Sequence, residues 1–179
     1  FFAIDGLAGF SEAINRIYPE ATIQRCIVHM IRTSLLGVSD KDRKSVIRDL
    51  RTIYQASDER AALIALEEFE SKWGKRYIHI GQKWRENWLE LTAFLGFGPE
   101  IRRMIYTTNA VENVHRQMRK VTKTKGAWCT ENALIKQLYM SLMRNERSWN
   151  RQVFRWSTIQ QELMELYGQR YTKYAEKLG

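Results

Sequence analysis

This sequence of 179 residues has few cysteines, no long apolar run and no N-terminal leader pattern. No apolar run reaches the roughly 18 residues that a membrane-spanning helix needs, which argues against a membrane protein. Two cysteines are too few for a disulfide framework, so we expect a reducing compartment. The opening residues FFAIDG have no basic lead, so no signal peptide is predicted, and without an initiator Met we expect a piece of a longer chain.

The composition is that of a folded chain with a marked excess of positive charge. Hydrophobic residues make up 44% and aromatic residues 12%, which excludes a disordered polymer and predicts a globular core. The formal net charge is +9, from 29 basic and 20 acidic residues. Such an excess favours a polyanionic partner, with nucleic acid first and an acidic membrane surface second. A basic protein without such a partner stays open on charge alone.

The first part of the chain, residues 1–36, predicts a strand–helix–strand–helix unit, which is a piece of an α/β layer. Residues 1–4 are a short apolar run that stops at an Asp-Gly turn, and residues 21–28 are β-branched enough for a second strand. Apolar residues at helical spacing follow each strand. The predicted helices cover residues 10–18 and 29–36.

The middle part, residues 37–98, predicts an all-helical subdomain. Ser39 and Ser57 are the predicted N-caps of its first two helices, and Gly74 is predicted to end the second. Apolar residues recur three and four positions apart, which is typical of a buried helix face rather than of a ligand site. These residues are Val46, Ile47, Leu50, Ile53, Tyr54, Ala62, Leu66, Phe69, Trp73, Trp84, Trp88, Leu91 and Leu95.

The last part, residues 99–179, is also predicted to be helical, with a loop over residues 123–129. A helix over 109–121 is expected to begin at Thr108 as its N-cap and to turn Val111, Val114 and Met118 inward. Thr130 is the predicted cap of a helix that runs through Leu142. A single long helix is predicted over residues 156–174.

Two carboxylates stand out as candidates for chemistry. Asp5 ends an apolar strand, and open α/β sheets place their ligands at the carboxyl ends of strands; the alternative is a plain turn-forming Asp-Gly. Glu112 lies in the first turn of a basic helix, on one face with His115 and Arg119. The alternative for Glu112 is a surface ion pair stabilised by the helix dipole.

Other polar clusters allow further interpretations. Cys26 and His29 form half of a zinc-type spacing, and His115 with Cys129 completes four ligands, but their separation resembles no finger or ribbon. A packed cysteine and a hydrogen-bonded histidine is the simpler alternative. The basic runs 25–32 and 119–126 offer phosphate contacts, and Trp128 offers a stacking surface for a base. A solvated basic face is equally compatible with these runs.

Three ordered segments together resemble a known family. DGLAGFSEAI at 5–14, QRCIVHMIRTSL at 24–35 and IYTTNAVENVHRQMRKVTKTKG at 105–126 are similar to bacterial Mutator-type insertion-sequence transposases. The resemblance covers about residues 1–160. The sequence departs from the family pattern after Glu112, where Ser-Leu-Asn is commoner than Asn-Val-His, and at Trp128-Cys129, where Phe-Pro is usual.

The resemblance implies an α/β, mostly helical chain that forms part of an RNase H-like fold. Two strands of the sheet would lie in 1–36, the helical insertion in 37–98, and the completing helices in 99–179. An Asp-Asp-Glu triad in this family holds two Mg²⁺ or Mn²⁺ ions for DNA strand cleavage and strand transfer. The second Asp of the triad falls on Asp5 and its Glu on Glu112. The first Asp falls outside this chain, so residues 1–179 alone are expected to have negligible activity.

The resemblance also implies partners and a location. DNA, as transposon ends and target, is the expected partner, with a homo-oligomer in the active complex, in the bacterial cytoplasm and on the nucleoid. Cys26 and His29 match a family signature without an assigned role. A DNA-binding remnant without catalysis, and a helical interaction domain, remain alternatives. The expected DNA contacts are Arg25, His29, Arg32, His115, Arg116, Arg119, Lys120, Lys123, Lys125 and Trp128.

Overall fold

A computed structural model describes residues 1–149 and 153–175 of the chain. The described residues are mostly helical and contain a two-stranded parallel sheet, so the mostly helical α/β class is confirmed. The RNase H-like fold stays a prediction. The chain divides into two compact units, Phe1–Thr108 and Asn109–Gly179.

The sheet of the first unit joins strand β1 (Phe2–Ile4) to strand β2 (Ile23–Arg25) through helix α1 (Phe10–Ile17). The strands are parallel, with Phe2 opposite Ile23 and Ile4 opposite Arg25. Ile4, Ile14 and Ile23 form a small apolar cluster between the helix and the strands. The second strand is shorter than predicted because helix α2 (Ile27–Ser34) begins directly after Cys26.

The helical region that follows holds most of the buried apolar surface. Helix α3 (Asp40–Tyr54) begins after Ser39 as predicted and packs against helix α4 (Glu59–Glu86). The N-cap prediction for Ser57 is wrong, because the carboxylate of Asp58 accepts a hydrogen bond from the Ala61 amide (2.9 Å) and is the better-placed cap. The core residues with at most 4% exposure here are Val46, Leu50, Ile53, Ala62, Leu66, Phe69, Trp73, Ile80 and Trp84.

Helix α4 is bent sharply at Tyr77, whose backbone angles (φ −133°, ψ 46°) are not helical. Gly74 was predicted to end the helix, but the break lies three residues later. Glu70 contacts Arg85 through two hydrogen bonds of 2.7 and 2.5 Å, although residues 15 apart in a straight helix are about 22 Å apart. The bend therefore folds residues 78–86 back against residues 59–76.

Three short helices complete the first unit. Helix α5 (Trp88–Thr92) leads into a 3-10 helix (Ala93–Gly96), and helix α6 (Pro99–Ile105) begins with proline at its first position. The guanidinium of Arg102 donates to the carbonyl groups of Phe97, Ser57 and Leu95 and so ties these connections together.

The second unit contains helices α7 (Asn109–Thr122), α8 (Glu131–Trp149), α9 (Trp156–Tyr167) and α10 (Gln169–Ala175). Thr130 caps α8 as predicted, since its hydroxyl oxygen accepts from the Ala133 amide (3.2 Å). The single helix predicted over 156–174 is wrong, because Gly168 takes a positive φ of 48° and separates α9 from α10. The predicted division at residues 36 and 98 stays a prediction.

A membrane crossing was not expected from the sequence. No helix among residues 1–149 and 153–175 combines the length and the apolar character that spanning a bilayer requires.

Candidate metal and nucleic-acid site

Asp5 lies immediately after β1, at the carboxyl end of the parallel strand pair. Its side chain is exposed, and one carboxylate oxygen, Oδ1, accepts a hydrogen bond from the Leu7 amide (3.2 Å). This Asx turn holds the carboxylate at the strand end. Gly6 supports the same turn with a left-handed φ of 90°, and a Cβ there would lie 2.8 Å from the Arg25 guanidinium.

Arg25, a predicted phosphate contact, is already engaged in the first unit. Its Nη2 and Nε lie 2.7 and 2.9 Å from the Glu90 carboxylate, and its Nη1 donates to the Gly6 carbonyl (3.4 Å). The ion pair joins β2 to α5 and is about three-quarters buried, with side-chain exposures of 21% and 25%. A phosphate at Arg25 would have to compete with Glu90, whereas Arg32, at the end of α2, is exposed.

Cys26 is a packed residue at the start of α2 with 1% exposure. Its amide continues the sheet by donating to the Ile4 carbonyl (2.7 Å), and its Sγ accepts from the Thr108 amide (3.4 Å). The Ile27 amide donates to the Tyr106 carbonyl (3.1 Å) beside it. These contacts tie residues 106–108 to the β2–α2 junction. Cys26 therefore has a structural role in packing at this junction.

The zinc interpretation has no assembled ligand set in the structure. His29 is half-buried and Cys129 is exposed. Within residues 1–149 and 153–175, no three His, Cys, Asp or Glu side chains are grouped so that they would hold a metal ion. Asp5 belongs to the first unit and Glu112 belongs to the second, so their shared role stays a prediction.

Helix α7 carries Glu112 in its first turn and cations on the following turns. Glu112 is half-buried, whereas His115, Arg116, Arg119 and Lys120 are exposed. The prediction that Val111 faces inward is wrong, since it is 53% exposed, while Val114 and Met118 are half-buried. The helix packs on α8, where the buried hydroxyl of Ser141 donates to the Gln117 carbonyl (3.3 Å).

The loop after α7 places a cation over an aromatic ring. The Lys125 ammonium lies 4.5 Å from the ring centroid of Trp128, which is half-buried. Lys123 and Lys125 are both exposed. The loop therefore presents two cations and an aromatic ring together, the combination that phosphate contact and base stacking need.

Some residues that shape this region carry no strong signal in the sequence. Gln24 has no exposed surface, and its amide bonds three backbone groups. Glu90 is one acid among several, and only its distance from Arg25 reveals a role. Thr108 was predicted as an N-cap, but its buried hydroxyl has no hydrogen-bond partner among the described residues. The one feature that the sequence offered is a glutamine beside Ile23 in a predicted strand.

Comparison with known proteins assigns the family. Residues 1–152 match the sequence profile of the Mutator family of transposases. The chain therefore belongs to the Mutator family of transposases, and the resemblance drawn from the three motifs is confirmed.

Individual relatives agree with this assignment. The transposase for insertion sequence element ISRM3 of Rhizobium meliloti (strain 1021) is 41% identical over 169 residues, which cover 94% of this chain and 42% of the relative. A probable insertion-sequence transposase of Corynebacterium diphtheriae is 38% identical over 143 residues, covering 79% and 42%. The transposase for IS1201 of Lactobacillus helveticus is 32% identical over 133 residues, covering 74% and 36%. The chain thus spans less than half the length of these curated relatives.

Proposed function

We propose that this chain is part of a transposase that cleaves DNA and joins strands with the help of divalent metal ions. The observation that carries the proposal is the exposed carboxylate of Asp5 at the carboxyl end of a parallel strand, in a chain of the Mutator family. Carboxyl ends of parallel strands are where open α/β sheets bind their ligands. The same proposal makes DNA the partner, the bacterial cytoplasm the location and an oligomer the active complex.

Asp5 and Glu112 are the proposed metal ligands. Carboxylate oxygens are the donors that Mg²⁺ and Mn²⁺ prefer, and the second oxygen of Asp5 is not used by the Asx turn. Two carboxylates fit a hard divalent ion in kind but make an incomplete set. Bound divalent ions in such a site neutralise charge on the attacking and leaving oxygens of a phosphodiester.

Cations of the second unit would hold the DNA. Arg116, Arg119 and Lys120 are exposed on α7, on the turns that follow Glu112, so they can bind phosphates. Lys123 and Lys125 continue this charge into the loop, where Trp128 offers its ring to an unpaired base. Divalent ions held by Asp5 and Glu112 would position the scissile phosphate.

Metal binding tests the two carboxylates directly. Mn²⁺ is titrated into the chain, and bound ion is followed by electron paramagnetic resonance in the wild type, Asp5→Asn and Glu112→Gln. We expect each substitution to weaken the tightest Mn²⁺ site by about tenfold or more, because each removes a charged oxygen ligand. Glu131→Gln, in the first turn of α8, and Asp40→Asn, in the first turn of α3, are matched controls that should bind Mn²⁺ like the wild type.

The controls decide how the result is read. Equal Mn²⁺ affinity in the wild type and Glu112→Gln would exclude Glu112 as a ligand. Equal weakening by Glu131→Gln would show that bulk charge, and not a site, controls the ion.

A further inference from the structure

Helix α3 carries a row of cations on the side opposite its buried face. Lys41, Lys44, Arg48 and Arg51 are spaced three, four and three residues apart, so they lie one above another along the helix. All four are exposed, and the row is centred opposite Val46, which has no exposed surface. These four residues are called the α3 basic face below.

Two acids of α3, Asp42 and Asp49, point the other way. The Asp42 carboxylate accepts from the Arg76 guanidinium (2.7 Å) and the Tyr77 hydroxyl (2.8 Å), both on α4. The Asp49 carboxylate accepts hydrogen bonds from Lys72 (2.6 Å) and from the Trp73 indole (2.8 Å), which are also on α4. The negative charge of α3 is therefore matched by α4, which leaves the outer cations to set the field at the surface.

The outer cations have few acidic neighbours. In the part of the chain that the structure describes, Arg48 is the one member of the face with a carboxylate within 4 Å, and its Nε lies 3.6 Å from Asp49 Oδ1. Its side chain is 71% exposed. Asp40 is the remaining acid of the helix and lies in its first turn, beyond the end of the row.

We infer that the α3 basic face binds the phosphate backbone of duplex DNA, as a second contact separate from the cations of α7. The inference rests on the proposed function, which makes DNA the partner. Lys41 and Arg51 are ten positions apart, a length of about 15 Å along the helix. Phosphates of one strand rise about 3.4 Å per base pair along the DNA axis, so the row covers the rise of roughly four base pairs.

Such a contact would be independent of DNA sequence. Lys and Arg on an exposed helix reach phosphate oxygens, which carry no sequence information, and position the protein along the duplex. The contact would give the helical subdomain a DNA-binding role of its own, rather than the role of a spacer between parts of the chain.

The salt dependence of DNA affinity tests the inference. A fluorescent duplex is titrated with the whole chain at a series of NaCl concentrations, and log Kobs is plotted against log [NaCl]. For Lys44→Gln/Arg48→Gln/Arg51→Gln we expect the slope to become shallower by about 2 to 3, because each lost phosphate contact removes about 0.9. Thermal unfolding followed by circular dichroism establishes that the variant is folded.

Two matched variants control for charge and for chemistry. Arg16→Gln/Arg60→Gln/Arg103→Gln removes the same charge from exposed positions on α1, α4 and α6, and its slope should stay within about 0.5 of the wild type if contacts are local. Lys44→Arg/Arg48→Lys/Arg51→Lys keeps the charge of the face and should keep the slope. Equal losses in the two Gln variants, or none in the first, would overturn the inference.

A third variant separates this inference from the proposed function. If Arg116→Gln/Arg119→Gln/Lys120→Gln reduces the slope and the α3 variant does not, the α3 contact is wrong and the proposed DNA contact of α7 stands. If the wild-type chain does not bind duplex DNA at low salt, both contacts fall, while the Mn²⁺ test of the carboxylates remains separate.

An acidic membrane surface is the competing partner for an exposed basic face. Sedimentation with vesicles of phosphatidylglycerol and phosphatidylcholine in equal amounts measures it. If the α3 variant loses vesicle binding but keeps the DNA salt slope of the wild type, the membrane interpretation replaces the DNA contact. Loss of the DNA slope alone supports the inference.

Discussion

Gln24 shows how one polar residue can hold a strand in register with the helices beside it. Its Nε2 donates to the carbonyl groups of Arg25 (2.8 Å) and Leu91 (3.1 Å), and its Oε1 accepts from the Phe94 amide (2.7 Å). Three of the four hydrogen-bonding positions of the amide side chain are thereby filled inside the protein. The side chain connects the strand next to Asp5 with α5 and the following 3-10 helix.

Replacing Gln24 by leucine should destabilise the first unit. The substitution keeps the volume but leaves the Phe94 amide and the Leu91 carbonyl buried without partners, which costs about 2–4 kcal/mol. Urea unfolding measures the loss, and Gln82→Leu, at an exposed position on α4, should change the free energy of unfolding by less than about 0.5 kcal/mol. If Gln24→Leu also changes the free energy of unfolding by less than about 0.5 kcal/mol, water replaces the three hydrogen bonds and the prediction is wrong.

At the scale of elements, the pairing of α3 with α4 depends on two carboxylates as well as on apolar packing. The hydrogen bond from the Tyr77 hydroxyl is the main reason that the pKa of Asp42 lies below its ordinary value of 3.8. Burial raises the pKa of Asp49, but hydrogen bonds from Lys72 and Trp73 outweigh it, so its net pKa is also lowered. Tyr77, at the bend of α4, is thus fixed by Asp42.

This arrangement predicts acid sensitivity. A carboxylate with a lowered pKa in the folded state adds stability above its unfolded pKa near 3.8, and the contribution is lost as pH falls through the lower folded value. Between neutral pH and about pH 3, Asp42→Asn/Asp49→Asn should therefore lose less stability than the wild type. Thermal midpoints across this range measure it, with Asp40→Asn as a control; parallel curves for the wild type and the double variant would contradict the prediction.

For the whole molecule, the family is established, whereas the three-carboxylate site is a proposal. The chain belongs to the Mutator family, yet it spans 42% of the ISRM3 transposase and of the Corynebacterium diphtheriae relative. The proposed triad needs a further aspartate that the resemblance places outside residues 1–179. We therefore expect residues 1–179 to bind DNA and metal ions without cleaving DNA efficiently.

We predict negligible cleavage by residues 1–179 alone. With two of the three carboxylates of the proposed triad, two divalent ions cannot both be held beside the scissile phosphate. Incubation with labelled duplex carrying the ends of the parent element, with Mg²⁺ or Mn²⁺, measures strand cutting on denaturing gels. Robust cutting that disappears in Glu112→Gln would show that these residues suffice and would refute the three-carboxylate requirement.

The sequence by itself determined the class of the chain and its family. Short β-branched strands, apolar helical stripes and three ordered motifs led to a mostly helical α/β chain of the Mutator family, because periodicity and motif spacing are local properties. Boundaries were less accurate where neighbouring residues compete, as at Ser57 and Asp58, or where a break is made by Tyr77 rather than Gly74.

Only the tertiary structure decided which charged groups are already used. Arg25 pairs with Glu90, 65 positions away, and Asp42 and Asp49 are bound by α4. Charged residues of the same type therefore differ in whether they are paired within the fold or exposed. The cations of α3 face outward because they lie opposite the buried Val46, while Asp42 and Asp49 are turned toward α4. Such contacts join residues distant in the chain, and no local pattern encodes a distance across the fold.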